Sequence, residues 1–149
     1  PADLPAPPHP QGRETKDAPH TRNPNARDAD LGVSFAPASP ARLLVMLFDR
    51  LVLDVRRGLE FERGGDVEET HKHLTHAQDI LLELASSLRP EEFKGGYELA
   101  ALYSFLHRQL VMANIRKDAS ITDDVLTLVT DLCETWRQAA LQCATEQSA

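Results

Sequence analysis

The chain has few of the residues that supply disulfides and aromatic cores. Its 149 residues include two cysteines and one tryptophan, and only 5% are aromatic. Cys133 and Cys143 are ten residues apart in one helical pattern, a separation of about 15 Å along a helix, which no disulfide can bridge. Both thiols are therefore expected to be free, as in a reducing cytoplasm.

Long hydrophobic runs and an excess of positive charge are also missing. No run of about 18 apolar residues occurs, so no membrane insertion is expected. The first thirty residues lack the apolar core of a signal peptide. Lysine and arginine total 16 against 23 aspartate and glutamate, a net charge of −7. Proteins that bind nucleic acid usually have a basic face, so no nucleic-acid partner is expected.

Proline is scarce except at one end of the chain. Residues 1–37 contain eight of the ten prolines and no periodic spacing of apolar residues. A segment of this composition buries too little apolar surface to fold. We therefore predict a disordered Pro-rich arm over residues 1–32 and a bundle domain over residues 33–149. Val33 and Phe35, just before the first helix, either pack on that helix as a hydrophobic staple or cover an apolar groove.

The remaining sequence predicts four helices and no strands. The first begins at Ser39-Pro40, because serine is a preferred N-cap and proline is favoured at the first helical position. The four helices are expected over roughly 40–63, 67–88, 97–116 and 119–144. Short connections make neighbouring helices antiparallel. The predicted fold is all-α, an antiparallel up-down four-helix bundle that follows the disordered arm.

The first helix is more apolar than a surface helix requires. Nine of the eleven residues from Leu43 to Leu53 are apolar, whereas an amphipathic helix shows one apolar stripe. This helix needs cover on several sides, from its own fold or from a partner. Spare apolar surface of this kind indicates a protein that binds another helix.

Catalytic and metal-binding patterns are weak in this sequence. His71, His73 and His76 are the only metal-like cluster, and their spacing matches no His-Glu-x-x-His or Glu-x-x-His motif. A solvated polar face is favoured over a metal site. Gly64-Gly65 and Gly95-Gly96 indicate helix breaks, not a phosphate-binding loop. We predict no enzyme activity, no metal and no cofactor.

Several motifs in register resemble those of one known family. Ala38-Ser39-Pro40 with the following segment Leu43–Asp49 resembles the opening motif of the flagellar export chaperone family FliS. The segments His76–Ile80, Ala113–Asp118 and Glu134–Trp136 resemble later motifs of that family, in the same order. The likeness covers residues 33–140 approximately.

The resemblance implies a function without catalysis. Members of this family bind the C-terminal segment of flagellin in the bacterial cytoplasm, prevent its premature polymerisation and help to deliver it to the flagellar type III export apparatus. The resemblance also implies contact with the cytoplasmic domain of the export-gate protein. An apolar groove can accept such a segment as a helix. The alternative is a self-associating helical adaptor without a flagellin client, and the oligomeric state stays open.

Client contacts are predicted on the second and third helices and on the segment before the first helix. Core packing is the alternative role for each apolar member of the set. Asn114, a polar residue near the end of an apolar helix, bonds either to local backbone or to client backbone. The predicted client-binding residues are Val33, Phe35, Ile80, Leu84, Leu99, Leu102, Tyr103, Leu106, Leu110 and Asn114.

Overall fold

A computed structural model describes residues 39–148 of the chain. The predicted arm over residues 1–32, its boundary with the bundle domain, and Val33 and Phe35 lie outside the described residues. Within the described range, one 3₁₀ turn separates the second helix from the third. The helices are α1 (Pro40–Arg63), α2 (Val67–Ser87), α3 (Gly96–Arg116) and α4 (Ala119–Ser148), and the turn is Pro90–Glu92. No strand occurs in this range, which confirms the all-α prediction.

The starts of α1 and α2 are fixed by capping side chains that the sequence predicts. The Ser39 hydroxyl accepts a hydrogen bond from the backbone N–H of Arg42 at 3.1 Å, and Pro40 takes the first helical position. An Asp66 carboxylate oxygen accepts from the backbone N–H of Glu69 at 3.0 Å. These bonds pair N–H groups that have no partner inside the helix.

The helix ends differ slightly from the predicted bounds. α2 ends one residue earlier than predicted, and α3 begins one residue earlier, at Gly96. α4 runs four residues further, to Ser148, because no glycine or proline follows residue 144 to stop it. Lys117 ends α3 in the left-handed conformation, with φ 51°.

Neighbouring helices pack in a closed four-membered ring. α1 contacts α2 and α4, and α3 contacts the same two helices from the opposite corner. α1 and α4 are antiparallel: Arg63 pairs with Asp123, whereas Asp49, earlier in α1, pairs with Arg137, later in α4. One end of the bundle, here called the α1-start end, therefore contains the first turns of α1 and α3 and the last turn of α2. The predicted bundle topology is confirmed.

α1 is buried on its inner side and partly exposed on its outer side. Phe48, Leu51 and Val55 are fully buried in the core. Leu43 and Met46 are 51% and 54% exposed. Two neighbouring helices cannot cover the whole circumference of α1, so part of its apolar surface is left without a partner among the described residues. No helix among residues 39–148 is both long enough and apolar enough to cross a membrane.

Candidate functional site

An apolar pocket of about 350 Å³ opens at the α1-start end of the bundle. All four helices and the loop between α2 and α3 contribute to its wall, because the ends of α1, α2 and α3 meet there beside the middle of α4. The lining residues are Leu44 from α1, Leu84, Ser87 and Leu88 from α2, Arg89, Glu92 and Phe93 from the loop, Leu99 and Tyr103 from α3, and Trp136 from α4.

Packed aromatic rings hold one side of the pocket in place. Phe48 is fully buried, and its ring centroid is 6.3 Å from that of Tyr103 and 6.4 Å from that of Trp136. These separations lie within the usual range for attractive aromatic pairs, about 4.5–7 Å. Rings from α1, α3 and α4 therefore fix the relative positions of three helices at the pocket.

Tyr103 places a polar group in a mostly apolar wall. The residue is 2% exposed, and burial raises the pKa of its phenol to about 12. The hydroxyl is therefore neutral at physiological pH and can donate or accept a hydrogen bond. Within residues 39–148 it has no hydrogen-bond partner, so it is available to a bound segment.

The rim of the pocket combines charge with exposed aromatic surface. Arg89 and Glu92 are exposed and of opposite sign. Phe93 is 43% exposed, and Tyr97, on the first turn of α3, is 66% exposed. An apolar centre with a polar rim is the usual composition of a protein-binding surface.

The structure brings only part of the predicted client-binding set to this pocket. Leu84, Leu99 and Tyr103 line it. Leu102 is half-buried and packs against the core. The other described apolar members of the set are core residues in the structure: Ile80 is 5% exposed, and Leu106 and Leu110 are 0% exposed. A charged substitution at Leu106 or Leu110 would therefore test folding, not binding.

Asn114 lies near the other end of α3, eleven residues from Tyr103 and about 16 Å from it along the helix axis. Its side-chain nitrogen is 2.9 Å from the His71 Nδ1, and its side-chain oxygen accepts from the Lys117 Nζ at 2.6 Å. The side chain thus bonds to α2 and to the C-cap of its own helix. The sequence left two roles open for Asn114, a bond to local backbone or a bond to client backbone. The structure shows bonds within the protein, and they go to the side chains of His71 and Lys117.

Several pocket residues were not in the predicted set. Leu44, Leu88 and Phe93 lie near an end of a helix or in the loop, whereas Trp136 lies in the middle of α4. The predicted antiparallel topology indicates that residues at this end lie together, since it brings the start of α1 beside the end of α2. The apolar stripe of a single helix does not indicate these residues, because they come together only through the packing of several helices.

The histidine cluster is the predicted solvated polar face only in part, because His71 and His76 are exposed whereas His73 is buried. His73 is 8% exposed, and its Nδ1 is 3.2 Å from an oxygen of the fully buried Asp54. The His76 Nδ1 contacts the other oxygen of Asp54, to which Arg50 donates at 3.2 Å. These contacts join α1 to α2, because a buried carboxylate needs charged or hydrogen-bonding partners. Among the described residues, no group of histidine, cysteine, aspartate and glutamate is arranged to hold a metal ion.

Fold and pocket together define a small helical-bundle protein with an apolar pocket where the ends of three helices converge. A family model described as "Flagellar protein FliS" matches residues 23–143. The match covers most of the chain, including all of α1, α2 and α3. The chain therefore belongs to the FliS family of flagellar secretion chaperones.

Curated relatives agree with the family match, and each is named "Flagellar secretion chaperone FliS". The chain is 30% identical to the protein of Bacillus subtilis (strain 168) over 102 residues, 68% of this chain and 76% of that protein. It is 33% identical to the Salmonella typhimurium protein over 115 residues, 74% of this chain and 84% of that protein. It is 30% identical to the Escherichia coli (strain K12) protein over 117 residues, 76% and 86% of the two chains.

Proposed function

We propose that this protein is a cytoplasmic export chaperone that binds the C-terminal segment of flagellin. In this role it prevents premature polymerisation of flagellin and helps to deliver it to the flagellar type III export apparatus, where it contacts the cytoplasmic domain of the export-gate protein. The observation that carries the proposal is membership in the FliS family. The relatives' name, flagellar secretion chaperone, supports it.

The pocket at the α1-start end supports a way to hold such a client. An amphipathic segment that is disordered when free can fold on an apolar surface and insert its largest side chains into a pocket. Ordering the segment costs free energy, which the buried apolar contacts must offset. Tyr103 offers a hydroxyl to the client, and Arg89 and Glu92 offer charged groups at the rim.

The proposed client contacts differ from the set predicted from sequence, because core residues are left out and other pocket residues are added. Leu84, Leu99 and Tyr103 stay in the proposal because they line the pocket. Leu102 stays as a half-buried neighbour on α3. Ile80, Leu106, Leu110 and Asn114 are proposed to hold the helices in position. The added contacts are Leu44, Leu88, Phe93 and Trp136.

Calorimetric titration tests the function directly. The titrant is a peptide of about forty residues from the C-terminus of flagellin of the same organism. We expect one-to-one binding with a negative heat-capacity change, the signature of apolar burial. Phe93→Ser is expected to weaken binding about tenfold, because an aromatic side chain at a pocket typically contributes that much or more.

Ile115→Ser is the matched control for Phe93→Ser. Ile115 is 73% exposed and does not line the pocket, so its replacement should leave affinity unchanged. Equal weakening by both variants would show that the pocket is not the binding site. Absence of binding by the parent protein would overturn the proposed function, and light scattering over a concentration series would then test the self-associating alternative.

The segment before α1 is proposed to cover part of this pocket in the free protein. Ser39 caps α1 at the same end of the bundle as the pocket. Phe35 and Val33 precede Ser39 by four and six residues, which an extended chain spans in at most about 14 Å and 21 Å. Their apolar side chains could therefore reach the pocket and compete with the client for it.

A further inference from the structure

The outer side of α1 presents arginines to solvent without ion-pair partners. Arg42, Arg56 and Arg57 are exposed. None of them forms an ion pair with another residue in the range 39–148. By contrast, Arg50 and Arg63 on the same helix pair with Asp54 and Asp123.

This basic surface is unusual in a chain with a net charge of −7. The neighbouring helix α4 exposes Asp123, Asp124, Asp131 and Glu134. The excess of acidic residues already favours solubility of the protein, so Arg42, Arg56 and Arg57 are not needed for solubility. Their placement on one helix therefore calls for another explanation.

Apolar side chains accompany the arginines along the same side of α1. Arg42, Met46, Leu53 and Arg57 are separated by four, seven and four residues, a spacing that keeps all of them on one side of a helix over about 22 Å. Met46 is 54% exposed and Leu53 is half-buried. Asp49 and Glu60 are exposed on the same side, and Asp49 pairs with Arg137. Among the described residues this side therefore has three arginines without an ion-pair partner, one such carboxylate and some apolar surface. We call Arg42, Met46, Leu53, Arg56 and Arg57 the α1 outer face.

We propose that the α1 outer face binds an acidic amphipathic segment of a partner protein. Guanidinium groups match carboxylates in a planar, two-bond geometry, so the exposed arginines favour glutamate and aspartate. Met46 is flexible enough to pack against varied apolar side chains.

A second pocket lies beside this face, and none of the five residues of the face lines it. The pocket has a volume of about 320 Å³ and lies between α1 and α2. Arg50, Lys72, Thr75 and His76 are among its lining residues, but each already has a partner within the protein. Asp54 and Asp79 also line it, but Asp54 already contacts Arg50, His73 and His76.

The α1 outer face extends away from the pocket proposed for flagellin. Leu44 lines the flagellin pocket, and Arg57 lies thirteen residues further along α1, about 20 Å along the axis. A partner on the outer face could therefore bind while the client occupies the pocket. The inference does not depend on the identity of the client.

Fluorescence anisotropy with two synthetic peptides tests the proposal on the full chain. The first peptide is an amphipathic helix of about 18 residues with leucine on one side and glutamate elsewhere. The second has lysine in place of each glutamate. We expect the acidic peptide to bind, the lysine peptide not to bind, and added salt to weaken the complex through screening.

Paired charge reversals locate the binding surface. The double variant with Arg42→Glu and Arg57→Glu should bind the acidic peptide about tenfold more weakly, since two favourable ion contacts become repulsive. Arg108→Glu with Arg116→Glu changes the net charge equally on exposed positions of α3 and should leave the affinity unchanged. Circular dichroism checks that both variants are folded.

Three results would overturn the proposal. Equal weakening by both charge-reversed variants would mean that bulk charge, not the α1 outer face, controls binding. Equal binding of both peptides would mean that only apolar contact matters. Binding to vesicles of phosphatidylglycerol and phosphatidylcholine, lost with Arg42→Glu and Arg57→Glu, without binding of the acidic peptide would assign the face to a lipid surface.

Discussion

Glu62 has a carboxylate that the fold only half satisfies. One oxygen accepts a hydrogen bond from the Thr122 hydroxyl at 2.7 Å, which joins α1 to α4. The other oxygen is buried and has no hydrogen-bond partner among the described residues. Burial raises the pKa of Glu62, and the Thr122 hydrogen bond and nearby Lys117 offset part of this effect. The ionised form is therefore disfavoured in the folded protein.

Replacing Glu62 by glutamine is expected to help the folded state more at neutral pH than at acidic pH. Because the pKa of Glu62 is higher in the folded than in the unfolded state, the folded protein binds this proton more tightly, and the contribution of Glu62 to stability falls as pH rises above about 4.5. Glutamine keeps an oxygen for Thr122 and does not ionise. Urea unfolding of both proteins between pH 4 and pH 7 measures the difference.

Glu60→Gln is the control for this effect. Glu60 is exposed and two residues away on the same helix, so its replacement removes one negative charge without relieving a buried carboxylate. A stability difference between Glu62→Gln and the parent that is constant from pH 4 to pH 7 would contradict the prediction. A difference that favours the parent at neutral pH would contradict it more strongly.

At the scale of single elements, the start of α3 depends on the short turn packed against it. Gly96 is buried, and a Cβ atom at this position would lie 2.2 Å from the Pro90 backbone oxygen and 2.6 Å from the Pro90 Cα. The 3₁₀ turn Pro90–Glu92 can approach α3 this closely only because glycine has no side chain. The same turn leads into Phe93 on the pocket wall.

Gly96→Ala is expected to destabilise the bundle by about 1–3 kcal/mol, the usual cost of forcing extra atoms into a packed site. Backbone atoms of Pro90 cannot rotate away as a side chain could, so the turn itself must shift. Thermal unfolding followed by circular dichroism measures the loss. The flagellin peptide should also bind more weakly, because the shifted turn carries Phe93.

Gly64→Ala provides the comparison within the same chain. Its Cβ would meet the nearest atom, the Glu60 backbone oxygen, at 3.5 Å, and its φ is −86°. Ordinary contact and an unstrained backbone predict a small effect, within about 0.5 kcal/mol. Equal losses of stability in Gly96→Ala and Gly64→Ala would contradict the prediction. Close packing of the turn on α3 would then not be what positions the pocket wall.

The pocket is a property of the whole molecule, since no single helix forms it. Leu44, Leu88, Leu99 and Trp136 come from four different helices or their ends. Any motion that separates the α1-start ends of the helices would widen the pocket, whereas the opposite end is held by contacts such as Asn114 to His71 and Thr122 to Glu62. Client binding at one end is therefore compatible with a bundle that stays closed at the other.

Deleting residues 1–36 is expected to tighten binding of the flagellin peptide or to promote self-association. The deletion removes Val33 and Phe35, which are proposed to cover the pocket and to compete with the client for it, so on that proposal it also leaves apolar surface uncovered. Calorimetry measures the affinity, and light scattering measures the oligomeric state. The point variant Phe35→Ser in the full chain should show the same direction of change in affinity.

Leu4→Ser, in the Pro-rich part of the same segment, controls for a general effect of losing an apolar side chain there. It should bind the peptide as the parent does. An unchanged affinity in both the deletion and Phe35→Ser, together with a stable monomer, would rule out the covering role of Val33 and Phe35.

The sequence by itself determined the helices, their order and the family. Local signals suffice for these features: Ser39 with Pro40 starts α1, Asp66 starts α2, and apolar spacing sets the inner side of each helix. Which apolar residues remain accessible was decided by packing, so Leu106 became core while Leu44 and Trp136 lined a pocket. Burial of Asp54 likewise gave His73 and His76 a structural role. These outcomes depend on contacts between residues far apart in the chain, and periodicity within one helix carries no information about them.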